Sequence, residues 1–75
     1  MRIMLRRAKL EHRVRSATMS RAELDVRKGD QRLSVPLERE QPGEPLFVEV
    51  LGVEIALESV DVSDKPSTAR ILVRR

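Results

Sequence analysis

The sequence predicts an all-β domain, a small antiparallel barrel or sandwich of about five to six short strands. The first observation is an alternation of apolar and charged residues, clearest at residues 22–27 and 69–74. Period two is the period of a strand with one buried and one exposed face. The second observation is the set of turn signals between these runs, at Gly29, Pro42 and Pro66. Short strands at this spacing are typical of a closed or nearly closed antiparallel barrel.

The first two strands are predicted from the alternation alone. Strand one runs from Ala8 to Val14, and strand two covers residues 22–27. Residues 2–7 fit neither the strand nor the helix period, because three apolar residues stand side by side there. Residues 16–20 are small and polar and predict a turn.

The third strand follows a tight turn at Lys28-Gly29-Asp30, where glycine can adopt a positive φ without a steric penalty. This strand is predicted at residues 32–37, with Pro36 near its end or on a free edge of the sheet. Residues 38–45 are predicted as a polar loop, because two prolines and a glycine exclude a helix.

Three more strands complete the predicted domain. Strand four covers residues 46–51, and Gly52 after it indicates a bulge or a barrel corner. Strand five covers residues 53–62 and strand six residues 68–74, with a turn at 63–67 between them.

Size and composition restrict the class of protein. A chain of 75 residues forms one domain, residues 1–75, and its core must be aliphatic because Phe47 is the only aromatic residue. The absence of cysteine excludes disulfides, thiolate metal sites and a cysteine nucleophile, and fits a reducing, cytoplasmic setting. No apolar run approaches the roughly 18 residues of a membrane span. A core this small favours oligomerisation or docking on a larger body.

The charges are divided unevenly along the chain. Residues 1–28 contain nine Lys or Arg and three Asp or Glu, whereas residues 29–75 contain six and nine. A basic half beside an acidic half can bind a polyanion, associate head to tail with a second copy, or form a solvated surface. The candidate residues for binding an anion or a partner are Arg2, Arg6, Arg7, Lys9, Arg13 and Arg15. The alternation places Lys9, Arg13 and Arg15 on one side of strand one.

No catalytic constellation is visible, and the protein is predicted not to be an enzyme. His12 is the only histidine, on the strand face of Leu10 and Val14, and we expect it to be a partly buried structural residue. A metal site needs several ligands, and no second histidine or cysteine is present. The sequence therefore predicts no cofactor.

Several short segments, read in order, resemble the TOBE/Mop family. Residues 2–10 are similar to the opening of that family, an Arg-Asn-x-Leu stretch that leads into a Lys-Val strand, although Ile3 stands in place of the Asn. Leu33-Ser34-Val35-Pro36-Leu37, Pro42-Gly43-Glu44-Pro45-Leu46 and Ala56-Leu57-Glu58 resemble its middle. Ser67-Thr68-Ala69-Arg70 is similar to its Ser-Ala-Arg-Asn signature, at the other end of the chain.

This resemblance implies a small OB-like or TOBE-like barrel, found as an accessory domain of molybdate-transport ATPases and alone in molbindins. Such a module is non-catalytic and binds an oxyanion or docks as a regulatory accessory in an oligomer. Two other interpretations remain open from the residues. A basic barrel can bind nucleic acid through its phosphates, although it lacks the aromatic platforms of single-strand binding barrels. A structural adaptor in a larger assembly, such as a viral particle, would use its charged faces to contact neighbouring proteins.

Overall fold

A computed structural model describes residues 1–12, 17–63 and 65–74 of the chain. These residues form six strands and no helix, so the predicted all-β class and strand number are confirmed. The described part of the chain thus has no helix that could cross a membrane. The strands are β1 (Arg2–His12), β2 (Thr18–Lys28), β3 (Gln31–Gln41), β4 (Val48–Val50), β5 (Val53–Asp61) and β6 (Thr68–Arg74).

The strands form two antiparallel sheets of three strands each. The N-terminal sheet has the order β1-β2-β3, and the C-terminal sheet has the order β4-β5-β6. β5 packs against all three strands of the N-terminal sheet, and β6 lies against β1. The described ladders therefore build two facing layers, in a body of 43 × 27 × 14 Å, and not one continuous ring.

The core lies between the two sheets and is aliphatic, as the composition predicts. Leu24 and Val26 of β2 and Ile55 and Leu57 of β5 are at most 1% exposed. Burial of one such side chain stabilises a fold by roughly 1.5–3 kcal/mol. Among the described residues, the buried cluster consists of Ala22, Leu24, Val26, Val35, Leu37, Val50, Ile55 and Leu57.

β1 begins earlier than the alternation predicts, because a β-bulge hides the period of its first half. Leu5 is opposite Leu24, but the next residue in register with β2 is Arg7, opposite Glu23. Arg6 is thus the extra residue of the bulge. Before the bulge the period is regular: Met4 faces outward and is 43% exposed, and its two apolar neighbours contact the core.

β2 and β3 are longer than predicted because they pair with each other along their full length. Residues 18–20, predicted as part of a turn, pair with the end of β3. Residues 38–41, predicted as a loop, belong to β3 for the same reason. The hairpin turn between the strands has Gly29 at φ 59°, which confirms the predicted turn. Pro36 is on the edge strand β3, which confirms the second of its two predicted placements, on a free edge of the sheet.

Gly52 lies in a two-residue hairpin turn, and neither in a bulge nor at a barrel corner, which corrects the prediction for this residue. Leu51 and Gly52 have φ values of 51° and 85°, and their neighbours Val50 and Val53 are directly paired. Two residues with positive φ between paired strands form the type of hairpin turn that matches strand twist. β4 is accordingly shorter than predicted, at three residues, and β6 agrees with its prediction.

Candidate anion-binding cleft

A cleft of about 510 Å³ opens between β1 and the segment that leads into β6. We call it the β1 cleft. One wall is the bulged part of the edge strand β1, and the other is the chain just before β6. Its lining residues are Leu5, Arg6, Arg7, Ala8, Lys9, Pro66 and Ser67. Three of the six predicted anion-binding residues therefore meet at one place.

The bulge gives the β1 cleft two consecutive arginines. Arg6 and Arg7 are both exposed, and no carboxylate of the described residues forms an ion pair with either guanidinium. Glu23 is opposite Arg7 in the ladder, but its Oε1 accepts a hydrogen bond from Ser34 Oγ at 3.3 Å instead. The two cations are therefore available to an anion from outside.

Lys9 has a partner within the sheet, in contrast to the two arginines. Its Nζ lies 3.1 Å from Glu11 Oε1, and the same oxygen accepts a hydrogen bond from Arg21 Nη1 at 3.1 Å. Arg21 Nε is in turn 3.3 Å from Glu38 Oε1. Within the described residues, two cations and two carboxylates thus belong to one network. Lys9 lines the β1 cleft, but its charge is largely compensated.

Of the remaining predicted site residues, the structure describes only Arg2. Arg2 begins β1 and is opposite Arg27, outside the β1 cleft. Arg13 and Arg15 lie outside the described residues, as does Val14. His12 is exposed at the last position of β1, so the expectation that it is partly buried is wrong. Among the described residues no group of His, Asp or Glu side chains has the arrangement of a metal site.

Sequence reasoning did not assign Pro66 and Ser67 to the site. Ser67 is 60 residues from Arg7 in the chain, and only the packing of β6 against β1 makes them neighbours. Ser67 opens the segment Ser67-Thr68-Ala69-Arg70, whose local pattern does not predict a contact with β1. The fold brings that segment next to the β1 arginines, although the two are at opposite ends of the sequence.

An apolar groove of about 290 Å³ continues from the β1 cleft along the same two strands. The two spaces share Leu5 and Ser67. The groove lies where the edge of one sheet meets the edge of the other, and β1 and β6 are not joined by a ladder. Its other lining residues are Ile3, Leu24, Thr68, Ala69 and Ile71.

A second group of cations lies around Asp25, a carboxylate buried on the outer face of β2. Asp25 Oδ2 accepts hydrogen bonds from Arg27 Nη2 at 3.3 Å and from Arg32 Nη2 at 3.2 Å, and Oδ1 accepts one from Arg32 Nε at 3.3 Å. Burial raises the pKa of this carboxyl, but the hydrogen bonds and charges of Arg32 and Arg27 outweigh it and hold the pKa below 3.8. Asp25 therefore stays ionised at neutral pH.

No protein-family model, no curated protein and no solved structure matches this chain.

Proposed function

We propose that this protein is a non-catalytic, TOBE/Mop-like β module that binds a small oxyanion in the β1 cleft. The observation that carries the proposal is the pair Arg6 and Arg7, which line a cleft together with the Ser67 segment and form no ion pair within the described residues. Guanidinium groups form strong, charge-assisted hydrogen bonds with tetrahedral oxyanions, and a serine hydroxyl can add a further donor. The chemistry of this lining matches molybdate or sulfate.

A second copy of the chain would complete the site. The β1 cleft is open to solvent on one side and is much larger than one tetrahedral ion. Both sheets also have free edges, and Leu46 and Val73 are 73% and 56% exposed. Apolar residues and free edges of this kind are covered in many small β proteins by association. We therefore propose a homo-oligomer, or docking as a regulatory accessory on a larger cytoplasmic assembly.

Nucleic-acid binding and a role as a structural adaptor are the two other interpretations, and the structure bears on both. Arg74 stacks on the ring of Phe47 at 4.0 Å from its centroid, so the only aromatic residue is not a free platform for a base. Nucleic-acid binding would therefore depend on phosphate contacts alone. A structural adaptor needs none of these contacts, and it becomes the better interpretation if no anion binds in the β1 cleft.

The proposal is tested by measuring mass and ligand binding together. Light scattering with and without molybdate or sulfate should show a closed oligomer that the oxyanion stabilises. Calorimetric titration should show binding that is lost in the double variant R6Q/R7Q. The matched control is Arg70→Gln, which removes an exposed cation from β6 outside the β1 cleft. A folded R6Q/R7Q protein that binds molybdate and sulfate as tightly as the natural chain would reject the site.

A further inference from the structure

Three arginines lie side by side across the N-terminal sheet. Arg2 of β1 is directly opposite Arg27 of β2, and Arg27 is directly opposite Arg32 of β3. We call these residues the arginine row. Adjacent strands are about 4.8 Å apart, so the three side chains start within about 10 Å of one another on the same face. Like charges directly opposite each other destabilise a sheet unless an anion compensates them.

The protein compensates the arginine row only in part. Asp25 is the one carboxylate of the described residues that pairs with it, and it contacts Arg27 and Arg32. Among the described residues no ion-pair partner is found for Arg2. The network around Arg21 on the same face is different, because among the described residues two carboxylates pair with two cations there. The arginine row keeps an excess of two positive charges.

Asp25 also orients the two guanidinium groups that it contacts. The carboxylate side chain is only 10% exposed, so it is held by the sheet around it. The side chains of Arg27 and Arg32 remain 45% and 62% exposed. A guanidinium carries five N–H donors, and these contacts use one donor of Arg27 and two of Arg32. The remaining donors are available to solvent in a partly fixed arrangement.

We propose that the arginine row is a second anion site, which binds a phosphoryl group or a short polyphosphate with at least two negative charges. Planar guanidinium groups match phosphate oxygens in charge and in geometry, and several of them together can contact more than one phosphate oxygen. Arg2 supplies the uncompensated charge, and the two arginines fixed by Asp25 supply oriented donors. A phosphate that bridges the arginine row would remove the repulsion that the free protein retains.

The arginine row is separate from the β1 cleft. Arg7 is opposite Glu23, which is four residues from Arg27 along β2 and therefore about 13 Å away. The two sites share no residue, so the arginine row can be tested whether or not the β1 cleft binds an oxyanion.

The experiment is a titration of the ¹⁵N-labelled full chain with sodium tripolyphosphate, followed by two-dimensional NMR at low salt. We expect the largest amide shifts at residues 25–27 and 32. Arg2→Gln should weaken binding by about fivefold or more, because it removes a charged donor without breaking any contact within the described residues. The control Arg70→Gln removes the same charge from the other sheet and should change the affinity less than twofold.

Two outcomes would overturn the proposal. One is an equal loss of affinity in Arg2→Gln and Arg70→Gln, which would mean that only net charge matters. The other is a set of shifts confined to residues 5–9 and 67, which would place the ligand in the β1 cleft. A parallel titration with a dodecamer of thymidylate identifies the source of the phosphate. If the dodecamer binds more tightly than tripolyphosphate and Arg2→Gln weakens that binding, the arginine row is supported as a contact for a nucleic-acid backbone. If the dodecamer binds more weakly than tripolyphosphate, a free polyphosphate is supported as the ligand.

Discussion

Asp25 is the residue whose surroundings depart most from what the sequence implies. The alternation places it on the outer face of β2, where a carboxylate is normally exposed, yet it is 7% exposed. An ionised carboxylate is buried at this level only when charged partners and hydrogen bonds replace its water. Arg27 and Arg32 supply them from the two sides of the hairpin turn. The arginines therefore have a structural role as well as the proposed binding role.

The first prediction concerns the acid stability that Asp25 confers. Its pKa in the folded protein is lower than in the unfolded chain, so its contribution is present above the unfolded pKa and is lost as pH falls through the folded value. Asp25→Asn should lower the urea midpoint at pH 7, and the difference from the natural protein should shrink as the pH falls below 3.8. Glu49→Gln, at an exposed carboxylate, is the control. A midpoint difference that is the same at pH 7 and pH 3 would contradict this role.

The second prediction concerns the hairpin turn at Gly52. Its φ of 85° is favourable only for residues that tolerate the left-handed region, and a Cβ there would meet no other atom within 4 Å. The penalty of Gly52→Val is therefore backbone strain, and we expect a loss of at least ~1 kcal/mol in the free energy of unfolding. Gly52→Asn should lose clearly less, since asparagine tolerates positive φ. Urea denaturation of both variants measures the difference, and an unchanged midpoint in Gly52→Val would show that the turn adapts without strain.

At the scale of the elements, the bulge in β1 determines which cations share a face. Without Arg6, Leu5 would point inward, Arg7 outward and Ala8 inward in an uninterrupted alternation. The insertion of one residue leaves the core pairs intact on both sides and adds a second arginine beside the β1 cleft. Bulges are over-represented at sheet edges and next to functional sites, and β1 is an edge strand.

The third prediction is that deletion of Arg6 removes the bulge and leaves the fold. The regular ladder that results keeps every inward residue inward, so the free energy of unfolding should change by less than about 1 kcal/mol. Oxyanion binding in the β1 cleft should be lost. Deletion of Ala8 is the matched control, because it would move Arg7 to an inward position and should destabilise the protein strongly. Circular dichroism reports whether each deletion variant is folded, and calorimetric titration reports whether it binds the oxyanion. An unfolded Arg6 deletion would mean that the fold requires the bulge.

At the scale of the whole molecule, neither sheet has a core of its own. The buried cluster combines Leu24 and Val26 of one sheet with Ile55 and Leu57 of the other. A three-stranded sheet with one apolar face needs a second layer to cover that face. The two sheets should therefore unfold together, although they are not hydrogen-bonded to each other.

The fourth prediction tests this dependence with Leu57→Ala. Leu57 is fully buried in β5, and truncation of a buried leucine costs about 2–5 kcal/mol. Amide exchange followed by mass spectrometry should accelerate in β2 as well as in β5, because both sheets lose the same core. The control Leu46→Ala, at a side chain that is 73% exposed, should change neither rate. Faster exchange in β5 alone would show that the N-terminal sheet is stable without its partner.

The all-β class, the turn at Gly29, the placement of β6 and the aliphatic core could all be predicted from the sequence. These features depend on local periodicity and on the dihedral preferences of single residues, which can be read along the chain. The lengths of β2 and β3 could not be predicted this way, because polar residues such as Glu38 and Gln41 join a strand only when a partner strand pairs with them.

The candidate sites were decided by the tertiary structure. The sequence identified Arg6 and Arg7 as cations, but the bulge, the approach of Ser67 and the pairing of Arg21 with Glu11 and Glu38 depend on contacts between separate segments. The arginine row likewise exists only through the register of three strands. The two-residue period indicates on which face of its own strand a residue lies. Strand register and sheet packing determine which other residues that side chain contacts.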